Sequence, residues 1–156
     1  MNASQIPVIV VSYNSVQLVE KLVVSFRKFY PNNKIHIIEG SDDGLTPDAI
    51  QQALPAWGDV QLHAFGFNIH HGPGMAWAIE NLSYSGPVLF LDSDIEVIAP
   101  GFIEDLLAQL QPNLYGVGFV GYVNDLGFDI DYVYGAIAYL HPPCMLCNMH
   151  VMREWP

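Results

Sequence analysis

The sequence predicts an α/β fold in which helices flank a mostly parallel central sheet. Short apolar runs rich in β-branched residues, such as the run at 6–13, are typical of strands buried on both faces. These runs alternate with stretches in which apolar residues recur at helical spacing, as they do where helices connect parallel strands. The chain has 156 residues, 51% of them hydrophobic, so we expect one domain over 1–156 with a core of its own.

The first half of the chain predicts three strands and two helices. The strands are expected at 6–13, 34–40 and 59–66. The first helix, within 14–30, has Asn14 or Ser15 as its cap and Pro31 as its stop. The second lies within 45–55, with Thr46 as N-cap, Pro47 at its first position and Pro55 beyond its end.

The second half predicts a helix at 71–82 opened by Pro73, a strand at 87–92 and a helix at 100–112. From Tyr115 onward the pattern becomes rich in glycine and aromatic residues. The segment 116–121 spells G-x-G-x-x-G, but no clear helix follows it, so a dinucleotide fingerprint is not indicated. We interpret it as a strand whose backbone packs closely.

The charge balance limits the classes of ligand. The chain has sixteen acidic residues and five Lys or Arg, which gives a formal net charge of -11. No Lys or Arg occurs between Ile35 and Met152. This composition argues against nucleic-acid binding, which needs basic side chains against phosphates. A bound phosphate would have to be neutralised by backbone N–H groups, helix N-termini or a metal ion. The apolar runs are too short to span a bilayer and the N-terminus lacks a basic leader region, so we expect a cytoplasmic protein.

Polar residues follow each predicted strand, where ligands bind in α/β sheets. These strand ends are 12–14, 39–44, 68–74 and 92–94. Asp92 and Asp94 come directly after a buried strand, where two carboxylates repel each other and resist desolvation. A Mg²⁺ or Mn²⁺ ion, with phosphate oxygens completing its shell, would explain the pair. A solvated Asp-Ser-Asp turn is the alternative.

Five segments in this order resemble family 2 glycosyltransferases, whose GT-A fold is a Rossmann-like three-layer arrangement. They are VIVVSYN at 8–14, IIEGSDDG at 37–44, FNIHHGPGMAWAIEN at 67–81, VLFLDSDIEVIAPGFIEDLL at 88–107 and the weaker YLHPPCML at 139–146. The resemblance covers about 5–146. It implies an inverting, metal-dependent transferase that uses a UDP- or GDP-sugar. The nucleotide-binding half is expected at about 5–98, and the acceptor side, which could be incomplete, at about 99–156.

The resemblance also implies roles for single residues. Asp92 and Asp94 match the DxD pair that binds Mn²⁺ or Mg²⁺ and the sugar diphosphate, and His141 could reach that metal or the acceptor. Candidates for the catalytic base are Asp125, Asp129 and Asp131. The residues expected to contact the nucleotide are Ser12, Tyr13, Asn14, Glu39 (where the family usually has Asp), Asp43, Asp92 and Ser93. His71 and Gly72, at a helix start, could meet a phosphate.

Other interpretations stay open at this point. The chain could be a catalytically silent nucleotide-sugar-binding module, or a phosphotransferase or phosphatase with Asp92 as nucleophile and Arg153 as the cation for the phosphoryl group. His141, Cys144, Cys147 and His150 could form a zinc knuckle, although the cysteines are also typical of small buried residues. The acceptor could be a glycan, a lipid-linked molecule or a protein, and a homo-oligomer is possible.

Overall fold

A computed structural model describes residues 2–155, which form a six-stranded sheet between helices. The strands are β1 Val8–Ser12, β2 Ile35–Glu39, β3 Val60–Ala64, β4 Pro87–Asp92, β5 Gly116–Val123 and β6 Ile137–Asn148. Their order is β3-β2-β1-β4-β6-β5. The pairs β1–β2, β1–β4 and β2–β3 are parallel, whereas β6 is antiparallel to both β4 and β5. The predicted α/β class with a mostly parallel sheet is confirmed.

The helices divide between the two faces of this sheet. They are α1 Val16–Arg27, α2 Leu45–Trp57, α3 His71–Asn81, α4 Phe102–Gln109 and α5 Met149–Glu154, preceded by a short 3₁₀ helix at Ala3–Gln5. Buried residues of α1, α2 and α4 share one core cluster, and those of α3 and α5 share the other. Among residues 2–155, no helix combines the length and the apolar character that a membrane crossing requires.

The central strands are buried on both faces because a parallel sheet is covered by helices on each side. In β1, Val8 and Val10 belong to the core under α1, while Ile9 belongs to the core under α3. All five residues of β2 are buried. This explains why a continuous apolar run, rather than an alternating one, predicted β1.

Three details predicted for α2 are wrong. The helix begins at Leu45, so Pro47 is its third residue rather than its first. The residue before the helix is Gly44, with φ +67°, and Thr46 lies inside the first turn, where its backbone N–H donates to Asp43 Oδ1 at 2.9 Å. The helix also continues through Pro55 to the buried Trp57. Arg27 Nε donates to the Trp57 carbonyl oxygen at 2.8 Å, which holds a helix end that lies two residues beyond the proline.

The β5–β6 hairpin was not predicted beyond the single strand at 116–121, whose close packing is confirmed. A Cβ atom at Gly116 would lie 2.6 Å from the Cys147 sulfur, so only glycine fits against β6. Along the ladder, Gly118 pairs with Met145, but the next pair is Val120 with Leu140. The skipped part of β6 contains the two prolines 142 and 143, which have no N–H to donate to a neighbouring strand.

The outer part of this hairpin, residues 119–141, is called the distal hairpin below. The ladder between β4 and β6 ends at the pair Leu91–Cys144, and β6 continues from there back toward residue 137. Because the two strands are antiparallel, that part of β6 lies beyond the carboxyl end of β4. The distal hairpin therefore extends from the sheet edge at which Asp92 lies.

Candidate active site

The loops after β1 and β2 are joined by a buried carboxylate. Glu39, the last residue of β2, is fully buried, and its side chain accepts hydrogen bonds from Ser12 Oγ, Ser41 Oγ and, at 2.7 Å, the Ser41 backbone N–H. Ser41 Oγ in turn accepts from the Asn14 backbone N–H at 2.7 Å. Burying a carboxylate is tolerated when several donors satisfy it. In this structure Glu39 has no exposed surface with which to contact a base or ribose.

A second set of hydrogen bonds reaches the loop after β4. Ser12 Oγ lies 3.2 Å from Ser15 Oγ, which lies 3.4 Å from Ser93 Oγ. Ser15 occupies the N-cap position of α1, but its side chain makes no capping bond there. Three of the four predicted strand ends are therefore linked through serine hydroxyls.

A cleft of about 310 Å³ lies against these serines. Its lining residues are Val11, Ser12, Tyr13, Asn68, Ile69, His70, His71 and Ser93. Tyr13 is 44% exposed, and Asn14 has a positive φ of +49°, a region that asparagine tolerates better than most residues. Gly72, the second residue of α3, is exposed, and a Cβ there would meet no atom within 4 Å.

The first turn of α3 connects the cleft to the carboxylate pair. His71 Nε2 lies 2.9 Å from Asp92 Oδ1. This hydrogen bond raises the pKa of His71 above its ordinary value, against the opposing effect of desolvation. The backbone of His70 has φ +61° and ψ 162°, a combination that is essentially confined to glycine and is strained for other residues. The fourth strand-end loop thus joins the other three at Asp92.

The donor set of Asp92 and Asp94 fits a hard divalent cation. Asp92 ends β4 half-buried, and the backbone turns there, with the Ile95 N–H donating to the Asp92 carbonyl oxygen at 3.2 Å. Asp94 is exposed, and within residues 2–155 its carboxylate enters no hydrogen bond or ion pair. Mg²⁺ and Mn²⁺ accept one or two carboxylates and complete the shell with water and substrate phosphates. Asp92 and Asp94 supply two carboxylates, which is within this range.

His141 does not join them. Within the described residues, no group of three or more His, Cys, Asp or Glu side chains is arranged to hold a metal ion. His141 packs instead against Phe119 and Tyr139, each with a ring-centroid separation of 5.8 Å. In this structure β6 places His141 among the aromatic residues of the hairpin, so its role as a third ligand stays a prediction without support from the geometry.

The zinc knuckle, an alternative left open by the sequence, finds no support in the described residues either. The odd spacing in β6 places Cys144 and Cys147 on opposite faces of the sheet, where each packs against a different core cluster. Burial raises the pKa of Cys147 to about 12, so its thiol is an inert core group. His150 lies 3.1 Å from the Ser85 carbonyl oxygen. The interpretation of the cysteines as small buried residues is confirmed for Cys147, whereas Cys144 is partly buried.

The three candidates for the catalytic base separate in space. Asp129 and Asp131 line one pocket on the distal hairpin, and Asp129 Oδ1 accepts from the Tyr139 hydroxyl at 3.0 Å. Asp125 is exposed in the turn of residues 124–128 and does not line that pocket. Only the first two therefore share a concave surface.

Two other charged candidates have structural partners. Both oxygens of Asp43 accept from Thr46, at 2.9 Å and 2.8 Å, so Asp43 caps α2, and these bonds lower its pKa. The Arg153 guanidinium donates to the carbonyl oxygens of Ile79, Leu82 and Tyr84, at the end of α3 opposite His71. Arg153 therefore cannot serve as the cation of a phosphotransferase at Asp92, which removes the support for that interpretation.

Comparison with solved structures shows that the fold is that of GT-A-type glycosyltransferases. Mannosyltransferase PcManGT from Pyrobaculum calidifontis, solved in complex with GDP-Man and Mn²⁺, aligns with a TM-score of 0.69 and 14% identity, over 96% of this chain and 46% of that one. TarS from S. aureus aligns with a TM-score of 0.61 and 17% identity, over 96% of this chain and 48% of that one. An active-site mutant of LgtC aligns with a TM-score of 0.60 and 16% identity, over 97% of this chain and 60% of that one.

The chain thus spans about half the length of the first two structures and 60% of the third. No protein-family model matches the sequence, and a search of curated proteins finds no match either. At these identities the likeness shows the fold alone.

Sequence reasoning missed Ser15 and Ser41 as members of the site. Ser41 lies within the predicted strand end 39–44, and Ser15 directly follows the one at 12–14, so strand-end position was the available signal. It also missed the aromatic residues around Asp129 and Asp131, because the pairing of β5 with β6 has no local signature.

Proposed function

We propose that this chain binds a nucleoside diphosphate sugar at the carboxyl edge of its parallel strands and transfers the sugar to an acceptor hydroxyl. The observation that carries the proposal is the set of hydrogen-bonded strand-end loops in a GT-A fold. Ser12, Ser93 and His71 line one cleft there, and His71 is hydrogen-bonded to Asp92. The donor is a UDP- or GDP-sugar, and the GDP-Man bound to PcManGT supports the second. Residues of about 5–98 form the donor side, and about 99–156 the acceptor side.

Asp92 and Asp94 would hold Mn²⁺ or Mg²⁺ in this proposal. When bound, the ion supplies a Lewis acid for the diphosphate leaving group. His71 holds the Asp92 carboxylate through the 2.9 Å hydrogen bond, as residues behind metal ligands commonly do. A metal is expected because the chain offers no Lys or Arg between Ile35 and Met152 to neutralise a diphosphate.

The nucleotide would lie over the loop after β1. Tyr13 is exposed for stacking, and Asn14 is held by Ser41. Glu39 acts through Ser12 and Ser41, whose hydroxyls it orients, rather than through its own contact with the ligand. The backbone N–H groups at the start of α3, around the exposed Gly72, form the positive end of the helix dipole, which suits a phosphate.

The acceptor would be activated by Asp131 or Asp129. The carboxylate takes the proton from the acceptor hydroxyl while the oxygen attacks the anomeric carbon. The bond from that carbon to the diphosphate oxygen breaks on the opposite side, so the configuration inverts. We favour Asp131, because Asp129 already accepts from Tyr139 within the described residues.

Calorimetry of nucleotide binding tests this proposal. UDP, GDP, UDP-glucose and GDP-mannose are titrated into the protein with Mn²⁺ and then with EDTA, using wild type, Asp94→Ala and Glu80→Ala. Glu80 is the matched control, because it is exposed near the end of α3 opposite His71. We expect metal-dependent binding that Asp94→Ala weakens by about tenfold or more and that Glu80→Ala leaves unchanged.

A folded protein that binds none of these nucleotides would refute the donor site. Binding equal in Mn²⁺ and EDTA would refute the metal role of Asp94. Binding followed by neither transfer nor donor hydrolysis would leave a nucleotide-sugar-binding module of the same fold.

A further inference from the structure

We propose that the pocket on the distal hairpin binds a neutral saccharide and that this saccharide is the acceptor of the proposed transfer. The pocket has a volume of about 460 Å³, within the usual range of small-molecule sites, about 300–1,000 Å³. It is distinct from the cleft at the strand-end serines, with which it shares no lining residue. The acceptor role rests on the proposed function, whereas the saccharide site itself does not.

Aromatic rings make up much of the pocket wall. The four rings belong to Phe119, Tyr122, Tyr132 and Tyr139. Tyr122 and Tyr132 meet edge to face with centroids 5.1 Å apart, so one strand and the returning loop present a joint surface. The negative face of an aromatic ring attracts the weakly positive C–H groups on the flat side of a sugar ring.

The same wall carries groups that can both donate and accept hydrogen bonds. Asp131 is exposed, and its carboxylate has no hydrogen-bond partner within residues 2–155. His141 Nδ1 is buried and likewise has no partner in the described part of the chain. An unpaired buried nitrogen is costly, and a ligand hydroxyl could satisfy it in either tautomer. Tyrosine hydroxyls, a carboxylate and an imidazole together suit a polyol.

The charges disfavour two other ligands. An anion would meet Asp129 and Asp131 in a region that contains no Lys or Arg. An organic cation would suit the carboxylates and rings, but it would make no hydrogen bond with the hydroxyls of Tyr122 and Tyr132 or with His141. A neutral saccharide uses all of these groups.

The position of the pocket supports the acceptor role. Cys144 pairs with Leu91 at the last rung between β6 and β4, and His141 lies three residues farther along β6. Asp92 follows Leu91 on β4, so the distal hairpin leaves the sheet at the same edge as the proposed donor metal site. Asp131 would then stand on the acceptor side of that edge.

Solution NMR of the whole chain tests the site without a donor or a metal. The probes are the methyl glycosides of glucose, galactose, mannose and N-acetylglucosamine, with maltose, cellobiose and lactose; choline and inorganic phosphate are the charged comparisons. We expect at least one saccharide to shift the tyrosine ring resonances of the pocket in a saturable way. Neither charged probe should do so.

Two pairs of variants locate the binding. Tyr132→Ala is compared with Tyr134→Ala, an exposed tyrosine two residues away that does not line the pocket. Asp131→Asn is compared with Asp125→Asn in the same manner. We expect the first member of each pair to weaken saccharide binding by about tenfold, as for a central contact residue, and the second to leave it unchanged. Tyr132→Phe keeps the ring and should retain most of the affinity even if Tyr132→Ala disturbs the hairpin.

The outcomes separate this proposal from the previous one. If the protein binds a donor nucleotide but no saccharide of the panel, the pocket assignment fails and the proposed function stands. Choline binding in place of a saccharide, or saccharide binding that both pocket variants leave unchanged, also overturns it. Saccharide binding by a protein that binds no donor would overturn the acceptor role together with the proposed function.

Discussion

Lowering the pH from about 7.5 to about 5 is expected to destabilise the fold through His36. This residue lies on β2 and is only 3% exposed. Its Nε2 lies 2.8 Å from the Tyr84 hydroxyl, and its Nδ1 lies 3.0 Å from His63 Nε2. Burial, followed by the positive charges of His63 and Lys34, lowers the pKa of His36 from 6.5 to about 4.

The direction of the effect follows from that lowered pKa. As the pH falls below 6.5, the unfolded chain binds a proton at His36 while the folded chain does not, so unfolding becomes more favourable. The stability present above pH 6.5 is therefore lost progressively until the pH reaches about 4. With these two pKa values, the loss at pH 5 is about 2 kcal/mol. Burial also lowers the pKa of His63, which acts in the same direction.

Urea unfolding followed by circular dichroism measures this loss. The free energy of unfolding is compared at about pH 7.5 and about pH 5 for wild type, His36→Gln and His150→Gln. Glutamine keeps a hydrogen-bonding side chain but does not titrate, so His36→Gln should lose about 2 kcal/mol less than wild type over this interval. The exposed His150 serves as the control and should leave the loss unchanged. Parallel losses in wild type and His36→Gln would refute the reasoning.

Three further predictions concern packing, capping and the metal site. Gly116→Ala should cost about 1–3 kcal/mol of unfolding free energy, because its Cβ would lie 2.6 Å from a buried sulfur. Gly72→Ala, where a Cβ would meet open space, should be neutral or stabilising by up to about 1 kcal/mol. Equal effects of the two substitutions in urea unfolding would contradict this. Arg153→Met should cost about 2 kcal/mol in the same assay, because three carbonyl groups lose a charged donor, and an unchanged midpoint would show that water replaces it. His71→Ala should weaken Mn²⁺ binding in calorimetry by about tenfold while His70→Asn does not, and equal affinities would remove the positioning role of His71.

Local sequence patterns were sufficient to predict the parallel part of the sheet. The runs that became β1 and β4 are continuous and largely apolar, as is typical of strands covered on both faces. Because parallel strands end at the same edge, the sequence also indicated which polar loops would meet. The link from Ser12 through Ser15 to Ser93 agrees with that expectation.

Local sequence patterns did not predict the environment of a side chain whose hydrogen-bond partner is distant in the chain. Glu39 looks like an exposed strand-end carboxylate in the sequence, yet two serines enclose it. Arg153 looks like a free cation, yet each of its three side-chain nitrogens donates to a carbonyl oxygen at or just beyond the end of α3. Neither outcome follows from the neighbours along the chain.

By itself, the sequence determined the α/β class, the edge of the sheet at which the polar loops meet, and the pair Asp92 and Asp94 at that edge. Only the tertiary structure decided that β6 enters antiparallel beside β4 and carries His141 into the distal hairpin, away from those aspartates. The physical reason is that strand register depends on side-chain packing between segments some 50 residues apart, together with the prolines that interrupt the ladder.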